Sequence, residues 1–332
     1  MSGSNNRNGD LISILENFEP DLVLINVITA SWYSANEIAK VIKFYDTSIT
    51  ISIGGVFPTL IGKIIYNSFS HFDIIVIGEG EYIIGEAILS FLKLGTFKRG
   101  VFESSKEVPI PKIDFNLVAE NIKIIKDSNF PIETSRGCSF GCLFCYLRDF
   151  SKPLRYKNLN DLYSELQFLD SLGIHKLFFS DDNFDLNKRH CVKIVNFLKS
   201  FNFDIILETR LENVTKERIK DLKEAGVSEI IYGVEHIDLS PLSMMKKCEP
   251  CMRREWKKIA NENTRSLNKG DITSHPIFML GLPGETNGSL NNLVNFACEL
   301  GKLDNVQYFT NWIRKSSSFI PISKYFSVKC LK

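Results

Sequence analysis

Three cysteines, Cys138, Cys142 and Cys145, fall within eight residues in the segment ETSRGCSFGCLFCYL. Thiolates are soft ligands that suit zinc or iron–sulfur clusters. A closed structural zinc site takes four ligands, and nothing nearby in sequence completes one. His175, Cys191, Cys248 or Cys251 would have to arrive from a distance. A four-iron cluster is also normally held by four cysteines. With three, one iron keeps an open coordination position, where a small molecule can bind. Gly137 and Gly141 let the backbone wrap closely around a bulky inorganic core. The other readings are a zinc ion with a recruited fourth ligand, or buried thiols with no metal, although a glycine-rich loop is a poor place to bury three cysteines. Cys248 and Cys251 have the spacing of a second metal site, but two ligands do not make one, and a solvent-facing helix start is the plainer reading.

Other chemistry-bearing residues stand where apolar runs end. Asp181 and Asp182, followed by Asn183, close KLFFSDD; Glu208 and Arg210 close DIILETR; Glu235 and His236 close EIIYGVEH. Gly281 and Pro283 belong to GLPGET, which follows PIFM. Carboxylates accept charge-assisted hydrogen bonds from an ammonium, and arginine can grip a carboxylate through two bonds. Each also has a plainer reading. Asp and Asn favour turns and helix caps. Glu208 and Arg210 suit an ion pair, His236 a packed histidine, and GLPGET a tight turn before a helix.

These residues need a scaffold that gathers strand ends. From residue 131 onward, PIETS, KLFFSDD, DIILETR, EIIYGVE, PIFMLGL and VQYFTNW read as strands, with segments of helical period such as LYSELQFLDSLG and KERIKDLKEAG between them. Six strand–helix units suggest a partly closed barrel of parallel strands, with functional groups at the C-terminal strand ends. Residues 20–95 alternate in the same way: DLVLINVIT, SITISIGG and FDIIVIGEGE are strands, and helical stretches follow each. This predicts a parallel, doubly wound sheet whose loops, carrying Gly54, Gly55 and Gly78, lie where ligands sit in such folds. The polar residues 1–10 are expected to be disordered. KEVPIPKIDF, with two prolines and no period, makes residues 96–130 a linker. The expected division is therefore a Rossmann-like domain over 1–95, a linker over 96–130 and a barrel over 131–332.

Composition removes several classes of function. The 332 residues carry a formal net charge of +1, which gives no electrostatic case for nucleic acid as a partner. The N-terminus lacks the basic-then-apolar layout of a signal peptide. No apolar stretch approaches the ~18 residues of a membrane span. A cytoplasmic location is the expectation.

The Cys-x3-Cys-x2-Cys spacing, with Phe144 before the last cysteine, resembles the signature of the radical S-adenosylmethionine (SAM) superfamily. The likeness extends over about residues 130–326. It implies a partial (β/α)6 barrel and a [4Fe–4S] cluster held by Cys138, Cys142 and Cys145. It further implies that the amino and carboxylate groups of SAM chelate the open iron, and that cleavage of its sulfonium yields a 5′-deoxyadenosyl radical. On the same resemblance, Asp181 and Asp182 would hold the methionine amino group, Glu208 and Arg210 would reach the ribose or the methionine carboxylate, and Glu235 would lie near the cofactor. Phe144 and the Gly281–Pro283 turn would lie beside the adenine. SSSFIPISKY is similar to the close of the barrel in relatives with a cobalamin domain.

Residues 20–95 in turn resemble the cobalamin-binding domain that one subgroup of the superfamily places before its barrel. Such domains begin with a further strand and an Asp-x-His-x-x-Gly loop whose histidine ligates cobalt; this sequence has neither, His71 precedes a strand, and Phe57 stands where many relatives carry histidine. Gly54, Gly55 and Gly78 are the candidate cobalamin contacts, with ordinary sheet turns as the alternative. The resemblance implies cobalamin-dependent methylation of an unactivated carbon on a small-molecule or peptide substrate, with a flavodoxin- or ferredoxin-type electron donor. A radical cyclase is the near alternative. A methylthiotransferase would need a second cluster, and residues 1–137 contain no cysteine. A non-catalytic iron–sulfur or zinc scaffold, or an inactive fragment, is the alternative from outside enzymology.

Overall fold

Isoleucine and valine crowd the early strands, and β-branched side chains suit a sheet covered on both faces. The computed structural model describes residues 4–104, 108–147, 153–250, 252–302 and 309–312. They divide into two compact units, the first running to Val108 and the second starting at Pro109.

In the first unit β1 (Leu22–Asn26), β2 (Thr50–Gly54), β3 (Ile74–Ile77) and β4 (Gly100–Glu103) form a parallel sheet in sequence order. Helix α1 (Ser4–Phe18) precedes it, and α2 (Trp32–Tyr45), α3 (Val56–Ser68) and α4 (Glu81–Leu94) connect its strands. Ile51, Ile53 and Ile75 of the sheet pack with Ile42 and Ile65 of the helices in one buried cluster. The strand β1 is an edge, with Leu24 and Asn26 exposed.

Two expectations change here. The stretch 1–10 is not disordered where it is described: from Ser4 it is the start of α1, because Leu15, about three turns further on, is buried in the core and anchors a helix whose first turns are polar. The stretch 96–130 is more than a linker. It supplies β4, whose four residues GVFE are too few to show a period, and two short helices, α5 (Phe115–Glu120) and α6 (Ile122–Ile125). The Asp114 side chain caps α5 by accepting from the amides of Asn116 and Leu117.

The second unit holds six parallel strands in sequence order: β5 (Phe130–Ile132), β8 (Lys176–Phe179), β9 (Asp204–Arg210), β10 (Val227–Glu235), β11 (Thr273–Leu280) and β12 (Phe309–Trp312). The crossovers carry α7 (Leu159–Ser171), α8 (Lys188–Leu198), α9 (Lys216–Glu224), α10 (Leu239–Met245), α11 (Trp256–Lys269) and α12 (Asn287–Leu300). An all-parallel, consecutive order with helical crossovers is the β/α barrel pattern, carried through six strands. Leu162, Leu166 and Leu169 of α7 and Trp256 of α11 are fully buried against it. Between β5 and α7, the two-residue strands β6 (Ser135–Arg136) and β7 (Arg155–Tyr156) pair antiparallel and pin the base of the cysteine segment. No described helix is long and apolar enough to cross a membrane.

Candidate active site

The cysteine segment leaves the C-terminal end of β5 and turns at Gly137, whose φ of +92° favours glycine. The Gly137 amide donates to Asp182 Oδ2 at 3.0 Å, and the Leu143 amide donates to the Met245 carbonyl at 3.0 Å. All three cysteines are free thiols; Cys142 is buried, and Cys138 and Cys145 are partly so. They line a single cavity of about 160 Å³ together with Phe144 and residues from the ends of β8, β9 and β10. Burial pushes the Cys138 and Cys145 thiols up. Forming thiolates here therefore calls for a positive partner.

The two adjacent aspartates part company. Asp182 lines the cavity; Asp181 does not. Asp181 accepts from the Thr134 amide at 2.6 Å, the Thr134 hydroxyl at 2.5 Å and the Ser135 hydroxyl at 2.6 Å, so its carboxylate latches the end of β8 to the end of β5. Both of its oxygens are engaged there and it does not line the cavity, unlike the expected ligand of a methionine amino group. Glu208 joins Asp182 in the cavity wall. Burial pushes both carboxyls up, and the Asp182 charge pushes Glu208 further. Two carboxylates facing one small space suit an ammonium between them. Burial and the Asp182 charge also push the Tyr146 phenol up, placing a residue that sequence reading passed over beside the same carboxylate.

Arg210 lines the cavity too, but its guanidinium is occupied. Nε donates to Glu212 Oε1 at 2.7 Å, Nη2 to the Lys247 carbonyl at 2.5 Å and Nη1 to Cys142 Sγ at 3.4 Å. The Phe140 ring covers it at 3.8 Å. Glu235 has a left-handed backbone, φ +62°, and pairs with Lys247 Nζ at 3.2 Å. Both side chains line the cavity. Lys247 is not at a strand end, so the strand-end rule could not find it; the left-handed Lys246 that caps α10 turns it inward. Asn183 lines the cavity with its Oδ1 accepting from Thr209 and Asn213 and its buried Nδ2 without a partner among the described residues.

Gly281 and Pro283 are not among the cavity's lining residues. Their turn is held by the Gly281 amide, which donates to the Glu285 carboxylate. Next to it, Phe144 packs against Met245, Met279 and Leu282, which brings the cysteine segment and the end of β11 together. His236 is fully buried, with Nδ1 accepting from the Asp238 amide at 2.9 Å, as expected of a packed histidine. Cys251 and SSSFIPISKY lie outside the described residues. Cys248 is buried, and burial raises its thiol to about 11.

In the first unit Gly55 has φ +100°, and a β-carbon there would strike Asn26 Oδ1 and the Val27 carbonyl. Backbone crowding between two loops thus accounts for this glycine locally. Gly78 also has a left-handed φ, +82°, while a β-carbon on Gly54 would make only ordinary contact with Val76. Phe57 is buried beside Trp32, and His71 bonds Asn36 at 2.9 Å.

The donor set fits a polynuclear centre. Among the described residues no three His, Cys, Asp or Glu side chains converge closely enough to share one metal ion. A cubane takes one thiolate per iron, and three free thiols line this one cavity. The Arg210 N–H on Cys142 Sγ and the unpartnered Asn183 Nδ2 add groups with use for a bound centre and its ligand. A family model for the Radical SAM superfamily matches residues 132–297, half of the chain. The chain belongs to the radical SAM superfamily. A [4Fe–4S] cluster and SAM are therefore the cofactors of this enzyme.

Relatives of this radical SAM enzyme include a protein of Pyrococcus horikoshii named an uncharacterized methyltransferase, 26% identical over 313 residues, covering 88% of this chain and 67% of that one. An anaerobic magnesium-protoporphyrin IX monomethyl ester cyclase of Cereibacter sphaeroides is 24% identical, with 90% of this chain covered and 52% of the cyclase. The chain thus spans between about half and two thirds of these relatives. Among solved structures, the radical SAM methyltransferase TsrM of Kitasatospora setae, with cobalamin and a [4Fe–4S] cluster bound, aligns with a TM-score of 0.71 at 17% identity, over 92% of this chain and 67% of TsrM. That likeness bears out the α/β fold of parallel sheets.

Proposed function

We propose that this enzyme methylates an unactivated carbon of a small molecule or peptide in a cobalamin-dependent reaction. The observation that supports it most is the extent of the likeness to TsrM. It runs over 92% of the chain, and so takes in the parallel sheet of the first unit as well as the barrel pattern of the second. TsrM is a methyltransferase crystallised with cobalamin and a cluster, and the Pyrococcus relative carries a methyltransferase name. Cys138, Cys142 and Cys145 would hold the cluster. Asp182 and Glu208 would take the amino group of SAM, and the loops bearing Gly54, Gly55 and Gly78 would approach cobalamin. When bound, the cluster and SAM supply a 5′-deoxyadenosyl radical and cobalamin carries the methyl group. The chain's own side chains orient SAM in the cavity that they line. We place the enzyme in the cytoplasm with a flavodoxin or ferredoxin as electron donor. Cyclisation without methyl transfer is the second reading, favoured by the cyclase relative. The absence of cysteine from residues 1–137 leaves no thiolates there for the second cluster of a methylthiotransferase.

The test is anaerobic reconstitution with iron, sulfide and hydroxocobalamin, then desalting, metal analysis and incubation with reductant and methyl-labelled SAM. About four irons per chain, bound cobalt and label transferred to an added acceptor are expected. Iron and 5′-deoxyadenosine without cobalt or label transfer would move the assignment to the cyclase reading.

A further inference from the structure

A terminal strand of a sheet leaves alternate backbone groups unpaired, and these can pair with another chain. In the first unit β1 is such a strand. It pairs with β2 alone, in a regular parallel register over Leu22–Asn26. The groups that face β2 belong to the odd-numbered residues: the Asp21 carbonyl accepts from the Thr50 amide, and the Val27 amide donates to the Gly54 carbonyl. Alternation therefore turns the N–H and C=O of Leu22, Leu24 and Asn26 outward, where they meet no partner among the described residues. Exposed edges are usually blunted by a lysine, a proline or a bulge. The strand LVLIN has none of these, and Leu24 at its centre is 54% exposed. Both ends of the free edge are nevertheless closed. Two residues before Leu22, Pro20 has no amide to give. Two residues after Asn26, the Ile28 amide donates to Ser31 Oγ and the Ile28 carbonyl accepts from the Ser31 amide.

We propose that β1 pairs antiparallel with β1 of a second copy of this chain, about a twofold axis at Leu24. The free edge is complementary to itself in this register. Leu24 faces its own copy, Leu22 faces Asn26, and each facing pair exchanges two hydrogen bonds. A shift of one pair in either direction would set Asn26 opposite Pro20 or Leu22 opposite Ile28, where the amide is missing or already used. A free edge centred on an exposed leucine and closed at both ends is what a twofold contact requires. The strand carries no charged side chain, so no like charges oppose each other across the axis. The four strands of each copy then run on as one sheet. Leu11 and Leu15 of α1 share a buried cluster with Val23 and Ile25 of β1, and α1 exposes Ile14 and Phe18 one turn apart. The axis keeps the two α1 helices on one side of the joined sheet, where these side chains can meet their copies. A stable dimer buries about 800 Å² on each partner. The short ladder alone falls below that, so α1 has to contribute, and the expected dissociation constant is about 1–100 μM. The inference is independent of the cofactors.

The experiment follows full-length wild type, L24K and L24E by sedimentation velocity between about 1 and 200 μM. Wild type should pass from monomer to dimer across this range. Each variant alone sets like charges face to face and should dimerise at least about tenfold more weakly, while an equimolar mixture of the two should recover most of that loss. Such a rescue requires residue 24 to face its own copy. Circular dichroism and melting of the variants should match wild type, because the Leu24 side chain lies mostly in solvent. Hydrogen exchange on wild type gives a second reading that needs no variant: the peptide spanning residues 20–28 should lose protection on dilution. A wild type that stays monomeric throughout, a dimer that persists undiminished in L24K, or exchange over 20–28 that ignores dilution overturns the proposal.

Discussion

Asp181 and Asp182 are neighbours that close one strand, and they do opposite work. Sequence alone marks both as candidates, because both are carboxylates after an apolar run. Which one faces the cavity depends on the pleat and on Thr134 and Ser135, forty-seven and forty-six residues away. Burial is the main influence on the Asp181 carboxyl and raises it to about 6, against the pull of its donors. A carboxyl raised above its unfolded value near ~3.9 lends stability that is fully present below that value and is lost as pH rises through about 6. Two units amount to about 3 kcal/mol. Denaturant unfolding at pH values from about 4 to 7 should therefore show wild type losing stability relative to D181N; parallel curves would contradict this. Cys142 belongs to the same scale. C142A should abolish iron incorporation while C251A leaves it intact, as iron counts on the two reconstituted variants will show. The cysteines were legible from spacing alone. Lys247 and the occupied state of Arg210 were not, since both depend on a turn brought to the cysteine segment from about a hundred residues further along the chain.

Most elements could be read from period and residue type because parallel strands buried on both faces leave continuous apolar runs. The exceptions, among them β4, α5, α6 and the start of α1, are short or polar and owe their structure to neighbours. A buried pair shows how such contacts stabilise the second unit. Lys157 Nζ lies 2.6 Å from Glu165 Oε2, both nearly inaccessible, and Glu165 also accepts from the Ile113 amide at 3.0 Å. E165A strands the lysine without a partner and should cost about 3–5 kcal/mol, read as a lower denaturant midpoint. Gly55 makes the matching case in the first unit. G55A must place a methyl group against Asn26 and Val27 in an unfavourable φ, and should cost at least about 1–3 kcal/mol whether or not cobalamin is present. A variant as stable as wild type that has lost only cobalamin affinity would show that ligand approach, not loop crowding, selects this glycine.

At the scale of the whole chain, each unit has its own buried cluster. Binding to one need not stabilise the other. With the cluster loaded, SAM at about a hundred times its Kd should add about 2.7 kcal/mol to the transition carried by residues from 109 onward. Hydroxocobalamin should act on the transition of the first unit. Calorimetry with each ligand in turn separates the two, and a cobalamin effect confined to the SAM-responsive transition would count against a site on the Gly54, Gly55 and Gly78 loops.

Cys142, with its amide neighbour Leu143 tied to Met245 and its sulfur beneath Arg210, has a consequence in time. The turn at 245–247 closes one side of that thiol, so iron and sulfide must reach it through the cavity it lines. Loss of the cluster to oxygen or chelators should then take the same path, and a ligand filling the cavity should slow it.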